Sequence, residues 1–384
     1  MFPEALAAAR ELLPLIRRTR DETESGRRIA APVVDALRQA RLCRMALPTE
    51  LGGIALAPRD ALAIYDLLAG AEASVAWIVW NSALPCYLGR FLKPAARAEI
   101  FGNPDDFYAG STRPSGRAAI EGDHYRLNGR WSLVSGCELA SWLALRSVIE
   151  ENGQPRMLQP NVPEARTLWV RREDVEIVDT WHTGGLRGTG SHDVVVKEKR
   201  VPRRHSLSPL DGSTLDGPLG RVPIVCTMAA GYAAQLLGIG LAAVDALVAL
   251  TARKPVVDPG PALGERTSLL AAIAEHKARL AAAEGWLFKC VERLWELSQS
   301  ARPTPGDIAL VFGAAHHAMA QGRAAVTTMY PLAGATALYT SSPLERAHRD
   351  VHAMAAHIIA QPNYVEDTGR VLLGLKPLNP LYLV

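Results

Sequence analysis

The stretch DTWHTGGLRGTGSHDVVVKEKRVP, residues 179–202, is the most specific string in this chain. Its first half contains Gly184, Gly185, Gly188 and Gly190, and glycines permit left-handed turns and a close approach of neighbouring backbone. Its second half, DVVVKEKRV, is rich in β-branched residues and predicts a strand. We therefore expect a glycine-rich loop that leads directly into a strand, with an architectural role for Gly188 and Gly190.

This strand belongs to a longer β region. Short β-like runs separated by Gly, Pro, Asn and Asp start near Phe107 and continue to about Pro209. The runs are HYRLNGRWSLVSG, WLALRSVI, RTLWVRR, VEIV and DVVVKEKRV. The sequence therefore predicts a middle β domain at residues 104–209.

Helical patterns precede the β region. Apolar residues recur at helical spacing up to about residue 103, with interruptions at Gly26, at residues 47–56, at Pro85 and at Pro94. The segment AEASVAWIVWNSALPCYLGRFL is apolar on nearly every side, so we expect it inside the protein. These patterns predict an N-terminal helical domain at residues 1–103.

Helical patterns return after the loop-like segment SPLDGSTLDGPLG. They cover residues 222–252, 263–299, 304–330 and 342–360. Four long helices in series are typical of an antiparallel bundle, so we place a C-terminal helix-bundle domain at residues 210–384. The predicted fold class is α+β, mostly α, in the order helices, β domain, helix bundle.

The composition is that of an ordinary globular protein, with 48% hydrophobic and 21% charged residues and a formal net charge of +3. No basic cluster interleaved with aromatic residues is present, which argues against a nucleic-acid partner. The five cysteines are far apart and form no C-x-x-C pair, which indicates reduced thiols in a cytoplasmic protein. The N-terminus is typical of an amphipathic helix and not of a signal peptide, and we expect no membrane span, since no run of about 18 uncharged apolar residues is evident.

Residues 179–202 closely resemble the D-T-W…G-L-R-G-T-G-S-x-D…V-P segment of flavin-dependent monooxygenases in the acyl-CoA dehydrogenase superfamily. The resemblance extends over nearly the whole chain. It implies an acyl-CoA dehydrogenase-like fold, with an N-terminal helical domain, a middle β-barrel or sandwich domain and a C-terminal four-helix bundle. Within the segment, it implies that Arg187 and Ser191 face the active site.

A second match is AGSTRPSG, residues 109–116, which is similar to the family's Thr-Glu-Pro turn that contacts the flavin pyrimidine ring. By this match, Ser111 and Thr112 are candidate cofactor-binding residues. Arg113 stands where the family has its glutamate, and the Gly-Ser-Asp that helps hold the FAD pyrophosphate is absent. The resemblance therefore leaves both FMN and FAD open as the cofactor.

A third match is LNGRWSLVSGCELASW, residues 127–142, which resembles the family strand that places a hydroxyl against flavin N5. It implies that Leu133, Ser135 and Gly136 bind the cofactor. Ser135 is also a candidate catalytic residue, because a hydroxyl near N5 can hydrogen-bond the reduced or peroxidised flavin and slow the loss of peroxide. The W-x-x-x-S-G pattern looks more like the monooxygenase branch than like the dehydrogenases.

A fourth match covers residues 329–357, which resemble the Arg-Asp helix of the dehydrogenases. Their catalytic glutamate would fall at Ile358, whereas His357 lines up with a histidine implicated in related oxygenases and is a candidate catalytic residue. His352 is the alternative for this role. The two side chains are five residues apart, about 140° around an ideal helix, so both cannot face one site on a continuous helix. His348 and His352 share a helix face but have no third ligand, so we expect no metal site.

Trp77, Trp80 and Tyr87 fall on the apolar helical segment of the N-terminal domain. They either line an aromatic substrate pocket or form part of the hydrophobic core, and the second is the commoner case. The sequence leaves both interpretations open.

The resemblance implies a flavin-dependent monooxygenase, since the base for acyl-CoA dehydrogenation is missing. It would use externally supplied reduced FMN or FAD and O2, by way of a C4a-hydroperoxyflavin, to oxygenate an aromatic or heteroatom-containing small molecule. The sequence shows neither a Rossmann fingerprint nor a P-loop, so a separate NAD(P)H-flavin reductase is the implied partner. The superfamily also implies a homodimer or homotetramer.

Two alternatives stay open at this point. One is a desaturase or oxidase of the acyl-CoA dehydrogenase type with a displaced base, for which Glu284 is the candidate. The other is a non-catalytic binding subunit, which would have no affinity for flavin.

Overall fold

The computed structural model describes residues 2–252 and 262–384. Their α-helices are α1 (Phe2–Gly26), α2 (Ala31–Gln39), α3 (Pro58–Ala69), α4 (Ala73–Leu88), α5 (Pro94–Phe101), α6 (Pro218–Arg221), α7 (Ile224–Thr251), α8 (Thr267–Ser300), α9 (Pro305–Leu332), α10 (Pro343–Ala355) and α11 (Asn363–Leu372). Their strands are β1 (Tyr108–Glu121), β2 (His124–Val134), β3 (Trp142–Glu151), β4 (Gln154–Pro155), β5 (Met157–Gln159), β6 (Val162–Pro163), β7 (Ala165–Arg171), β8 (Glu176–Val178), β9 (His192–Pro202) and β10 (Ser206–Leu207).

The described strands all lie between Tyr108 and Leu207, and α-helices occupy both flanking parts of the chain. This order confirms the predicted fold class, mostly α with a β region in the middle. The domain boundaries after residues 103 and 209 remain predictions, and residues 253–261 of the predicted bundle domain lie outside the described residues.

The N-terminal helices follow the sequence pattern with one exception. α1 ends at Gly26 and α5 begins at Pro94, as predicted. The interruption predicted at Pro85 is wrong, because α4 continues through it to Leu88. α4 is buried on nearly every side, as its sequence predicts, and this packing compensates for the hydrogen bond that a proline cannot donate.

The main sheet has the strand order β10-β7-β3-β1-β2-β9-β8, with β4 paired to β3. β1 and β3 run parallel, and the other pairs in this sheet are antiparallel. Alternating apolar side chains from these strands enclose a second hydrophobic core, separate from the helical core, with Trp131 fully buried in it. The glycine-rich loop between β8 and β9 leaves this sheet and contacts the helices.

α7 is the central helix of the C-terminal part and packs against α3, α8, α9 and α10. The expectation that no stretch is long and apolar enough to cross a membrane is wrong, because an 18-residue window within Ile224–Thr251 has a mean hydropathy of 1.9. Within the protein, 61% of that apolar window is buried, which is the arrangement of a core helix. The close approach of α9 requires small residues, since a Cβ at Gly240 would lie 3.0 Å from the carbonyl oxygen of Gly322.

Three of the predicted bundle helices match α7, α8 and α9 closely. The fourth, predicted over residues 342–360, is wrong at its C-terminal end, because α10 stops at Ala355. A new short 3-10 turn, Ile358–Ala360, then begins with His357 as its N-cap. The imidazole of His357 accepts a hydrogen bond from the backbone N–H of Ile359 at 3.3 Å, and this local bond competes with continuation of the helix.

Candidate active site

Ser135 lies directly after β2, inside a chain of buried hydrogen bonds. Its Oγ accepts from the indole Nε1–H of Trp77 at 3.0 Å and lies 2.7 Å from the Oγ of Ser191. Ser191 Oγ in turn lies 2.7 Å from Thr189 Oγ1, which donates to the carbonyl oxygen of Leu186 at 2.9 Å. The four polar side chains are at most 6% exposed, so the fold places Ser135 in a water-poor, fixed environment.

The glycine-rich loop that carries Thr189 and Ser191 is held against helices α1, α4 and α10. The backbone N–H of Leu186 donates to Asp350 Oδ1 on α10 at 2.7 Å. A Cβ at Gly185 would lie 2.6 Å from the carbonyl carbon of Arg349, and one at Gly188 would lie 3.0 Å from Ser74 Cβ, so neither position has room for a side chain. The architectural role predicted for Gly188 agrees with this packing.

The glycine at position 190 adopts φ +51, in the left-handed region, and its carbonyl accepts from the thiol of Cys137. The turn brings Ser191 back towards Ser135. Arg187, by contrast, turns towards α1, with its Nε 3.4 Å from the carbonyl oxygen of Glu24. Of the two residues expected to face the site from this segment, Ser191 contacts Ser135 and Arg187 contacts α1.

A cluster of charges beneath the loop joins α10 to α1 and to the start of α4. Arg346 forms ion pairs with Asp21 and Glu24 at 2.6 Å and lies 3.5 Å from Glu72. Glu72 and Asp350 are both buried. Burial raises the pKa of Glu72, and burial together with the Glu72 charge raises the pKa of Asp350 to about 8. Arg346 and Asp350 therefore tie α10, and with it the segment that follows, to α1, to the start of α4 and to the glycine-rich loop.

His357 lies in a box of aromatic rings formed by α4 and α7. Its ring centroid is 5.4 Å from Trp77, 5.7 Å from Trp80 and 5.4 Å from Tyr232, with which it stacks. Burial, helped by the nearby Arg113 guanidinium, lowers the pKa of His357 to about 4. The imidazole is therefore neutral at pH 7, and because Nδ1 accepts from Ile359, its proton is on Nε2.

The early end of α10 separates His357 from His352. His352 remains on the helix, is exposed, and its ring contacts that of His348 at 4.5 Å, while His348 stacks on Tyr330. The described residues contain no group of three or more His, Cys, Asp or Glu side chains arranged to hold a metal ion. The geometry thus brings His357, rather than His352, next to Trp77 and through it to Ser135.

The second predicted contact region, at the start of β1, forms a bulge. Pairing with β3 jumps from Ser111 opposite Leu145 to Gly116 opposite Ser147, so residues 112–115 lie opposite a single residue of β3. Thr112 is exposed and Ser111 half-buried. Both line a cleft whose other wall is the face of α4 that carries Asn81, Leu84, Pro85 and Leu88.

Leu133 and Gly136 flank Ser135 and have unusual backbones. Leu133 adopts φ +61, which is rare for a residue with a branched side chain, and its side chain is 53% exposed. Gly136 adopts φ +70, and its N–H donates to the carbonyl of Thr189 at 3.0 Å. The exposed Leu133 side chain thus lies close to the buried Ser135 hydroxyl, on a strained backbone. A planar apolar group bound here would cover Leu133.

Sequence reasoning missed Thr189 altogether and left Trp77 and Trp80 undecided. Both tryptophans contact His357, whereas Tyr87 lines a different cleft with Ala46 and Arg90. Of the residues relevant to a dehydrogenase base, Ile358 is 58% exposed and Glu284 is exposed on α8. The candidate site therefore presents a buried serine, a neutral histidine and aromatic rings. Its fit to a flavin rests on the buried Ser135 hydroxyl, the exposed Leu133 and the open bulge.

Comparison with known proteins defines the class of this fold and site. Residues 230–362 match the family model described as acyl-CoA dehydrogenase, C-terminal domain. The helical, β and helical order of the elements is that of the acyl-CoA dehydrogenase-like fold, and the chain is similar over nearly its whole length to oxygenase subunits of flavin-dependent monooxygenases.

Curated relatives match almost the whole chain. It is 29% identical to an indole-3-acetate monooxygenase of Pseudomonas putida, over 99% of this chain and 97% of the relative. It is 28% identical to the flavin-dependent monooxygenase, oxygenase subunit HsaA, of Rhodococcus jostii, over 91% of this chain and 93% of the relative. The solved structure of XiaF from Streptomyces sp., in complex with FADH2 and glycerol, has the same fold, with a TM-score of 0.91, 24% identity and coverage of 99% and 97%.

Proposed function

We propose that this protein is the oxygenase component of a two-component flavin-dependent monooxygenase. It uses externally supplied reduced FMN or FAD and O2 to oxygenate an aromatic or heteroatom-containing small molecule. The observation that carries the proposal is the buried Ser135, joined through Trp77 to the neutral His357, in a chain similar over its whole length to monooxygenases. Reduced flavin, when bound, supplies the activation of O2.

Ser135 and His357 are the proposed catalytic residues. Ser135 offers a fixed hydroxyl to the cofactor. His357 offers an Nε2–H that donates a hydrogen bond to the substrate or to a developing negative charge. Because burial lowers the pKa of His357 to about 4, it does not act as a charged acid at neutral pH. The rings of Trp77, Trp80 and Tyr232 keep water away from this pair.

The cofactor-binding residues proposed are Ser111, Thr112, Leu133, Ser135 and Gly136. Two features support this set: the bulge leaves the backbone of residues 112–115 outside the regular ladder, and Leu133 exposes a strained apolar side chain. A backbone that the sheet does not use is free to bind the polar edge of a flavin ring.

We assign two partners to the protein. A separate NAD(P)H-flavin reductase supplies the reduced flavin, in keeping with the fact that the relative HsaA is an oxygenase subunit. A second copy of the chain, in a homodimer or homotetramer, covers large apolar side chains on the surface. These include Leu241, Val248, Leu270, Trp286, Leu310, Leu372, Leu373 and Leu378. We also place the protein in the cytoplasm, which suits its five unpaired cysteines.

The proposal is tested by mixing the anaerobic complex of protein and reduced FMN or FAD with O2 and following flavin reoxidation and H2O2 release. We expect slow reoxidation in the wild type and reoxidation at least about tenfold faster in Ser135→Ala. The matched control is Ser298→Ala, which removes a buried hydroxyl bonded to Leu294 O on α8 and should leave the rate unchanged. Two results would contradict the proposal: bleaching of bound oxidised flavin by an acyl thioester without a reductase, or no binding of either flavin.

A further inference from the structure

The buried series of hydrogen bonds that begins at Trp77 and ends at Leu186 has a limited number of possible proton positions. The indole N–H of Trp77 only donates and the carbonyl of Leu186 only accepts, so both ends of the chain are fixed. Between them lie the hydroxyls of Ser135, Ser191 and Thr189, each with one proton to place. Three arrangements place a proton between each pair of neighbouring hydroxyls. One of them has Ser135 and Thr189 both donate to Ser191 and leaves the buried Ser191 proton without an acceptor, so two arrangements remain to be compared.

In the inward arrangement, Thr189 donates to Leu186 O, Ser191 donates to Thr189, and Ser135 donates to Ser191. Ser135 Oγ then receives Trp77 Nε1–H on one lone pair and keeps the other free. In the outward arrangement the direction is reversed, so that Thr189 donates to Ser191 and Ser191 donates to Ser135. Ser135 then has an unused proton, and the bond from Thr189 to the carbonyl is lost. The inward arrangement makes one more internal hydrogen bond, and in a site this buried that difference decides the population.

We propose that Thr189 and Ser191 are positioning residues that hold the Ser135 hydroxyl as a hydrogen-bond acceptor towards the cofactor. The inference rests on the proposed function, with Ser135 set against flavin N5 as the resemblance of residues 127–142 implies. N5 carries a hydrogen in reduced flavin and has only a lone pair in oxidised flavin. An acceptor at Ser135 therefore favours the reduced form, which an oxygenase without its own reductase must capture from solution.

The carbonyl oxygen of Leu186 accepts hydrogen bonds from other donors as well, so loss of the Thr189 hydroxyl affects the order of the protons and not the pairing of this carbonyl. Leu186 O also accepts from the indole Nε1–H of Trp181 at 3.1 Å and from the backbone N–H of Thr189 at 3.1 Å. Removing the Thr189 hydroxyl thus leaves no unsatisfied carbonyl, so the loop can stay folded. What disappears is the bond from Thr189 to Leu186 that fixes the direction of the other hydroxyl protons. The loss of one hydrogen bond corresponds to about a three- to tenfold change in the population of the inward arrangement.

The experiment measures the dissociation constants of reduced and oxidised FMN, the former anaerobically, for wild type and Thr189→Val. We expect the preference for reduced over oxidised FMN to fall about three- to tenfold in Thr189→Val. The two-electron midpoint potential of the bound flavin should become more negative by up to about 30 mV, which is the equivalent of tenfold. Thr189→Ser keeps the hydroxyl and should restore both values.

The matched control is Thr368→Val, which removes another buried threonine hydroxyl, bonded to Tyr364 O on α11. It should change neither affinity. If Thr189→Val weakens both redox forms equally, or leaves the ratio at the wild-type value, the role of Thr189 is purely structural and the inference is overturned while the proposed function stands. If the wild type binds neither form of FMN or FAD, both the inference and the proposed function fail.

Discussion

The two sides of the candidate site are built in opposite ways. On the buried side, formed by Trp77, Ser135, Thr189, Ser191 and His357, hydrogen bonds and ring contacts fix the side chains. On the bulge side, residues 111–115, the chain leaves the sheet register and its side chains are largely exposed. The fold itself sets the geometry of the buried side, whereas a ligand is needed to set that of the bulge side. Mutations should therefore affect stability on one side and affinity on the other.

The largest expected effect concerns the loop that supports the buried side. Gly185→Ala places a Cβ against the backbone of Arg349, which cannot move away without displacing α10. We expect a loss of about 2–4 kcal/mol in the free energy of unfolding, measured by urea denaturation. The neighbouring Gly184→Ala is the control, because a Cβ there meets no atom within 4 Å. Equal stability of the two variants would show that the loop is not tightly held.

The second prediction concerns the pH dependence of stability. The pKa of His357 is lowered to about 4 in the folded protein, so below about pH 6.5 the unfolded chain takes up a proton here that the folded one does not. The contribution of His357 to stability should therefore be full above pH 6.5 and fall by on the order of 2 kcal/mol as the pH approaches 4. Thermal unfolding of His357→Asn should show a shallower loss between these values, while His352→Asn should follow the wild type. An identical pH profile for His357→Asn would place the imidazole in water.

The third prediction concerns the N–H of Trp77. Trp77→Phe keeps an aromatic ring near Tyr232 and His357 but removes the donor to Ser135. We expect a loss of about 1–2 kcal/mol in stability, together with a faster reoxidation of bound reduced flavin. Tyr339→Phe, which removes a polar hydrogen from an exposed aromatic side chain, should change stability by less than about 0.5 kcal/mol. A reoxidation rate unaffected by Trp77→Phe would separate the indole from the function of Ser135.

The fourth prediction concerns the bulge side, where a mutation should lower the affinity for flavin and leave stability nearly unchanged. Thr112→Ala removes an exposed hydroxyl, so stability should change by less than about 0.5 kcal/mol. The affinity for reduced flavin should nevertheless fall about three- to tenfold, as measured by anaerobic titration, if the hydroxyl binds the cofactor. Thr327→Ala, an exposed threonine on α9, should leave the affinity unchanged. A Thr112→Ala variant with wild-type affinity would remove this residue from the proposed contacts.

The smallest effect links the two sides. Arg113, in the bulge, is the second cause of the low pKa of His357, after burial. Arg113→Ala should therefore raise that pKa towards its ordinary value without reaching it, as followed by NMR titration of the imidazole. Arg117→Ala, further along β1 and paired with Glu150, should not move it. A pKa unchanged in Arg113→Ala would mean that the two sides are electrostatically independent.

The sequence predicts the order of the elements well, because this order depends on local patterns, while the roles of the site residues stay predictions. β-branched runs predict β2, β3, β7, β8 and β9, and the all-round apolar character of α4 predicts its burial. The pattern fails where tertiary packing overrides a local preference, as where α4 continues through Pro85. Residue pattern alone does not reveal which neighbours bury an apolar run.

The contacts within the site could not be predicted for a different reason. The bonds from Ser135 to Trp77 and to Ser191 join residues 58 and 56 positions apart. No periodicity encodes such distances. The choice between His352 and His357 depended on where α10 ends, and the sequence pattern does not reveal the bond from Ile359 to His357 that competes with the helix there. The charge cluster around Asp350 joins four separate segments and is likewise visible only in three dimensions.

The left-handed backbone at Leu133 has a consequence for engineering. A left-handed φ of +61 at a residue other than glycine costs of order 1–3 kcal/mol, and the Leu133 side chain, which is 53% exposed, gives little packing in return. Replacement by glycine would relieve this strain and make the ligand-free chain harder to unfold. A screen for thermal tolerance would therefore favour that change. If Leu133 covers the flavin, the selected variants would be more stable but would bind their cofactor more weakly.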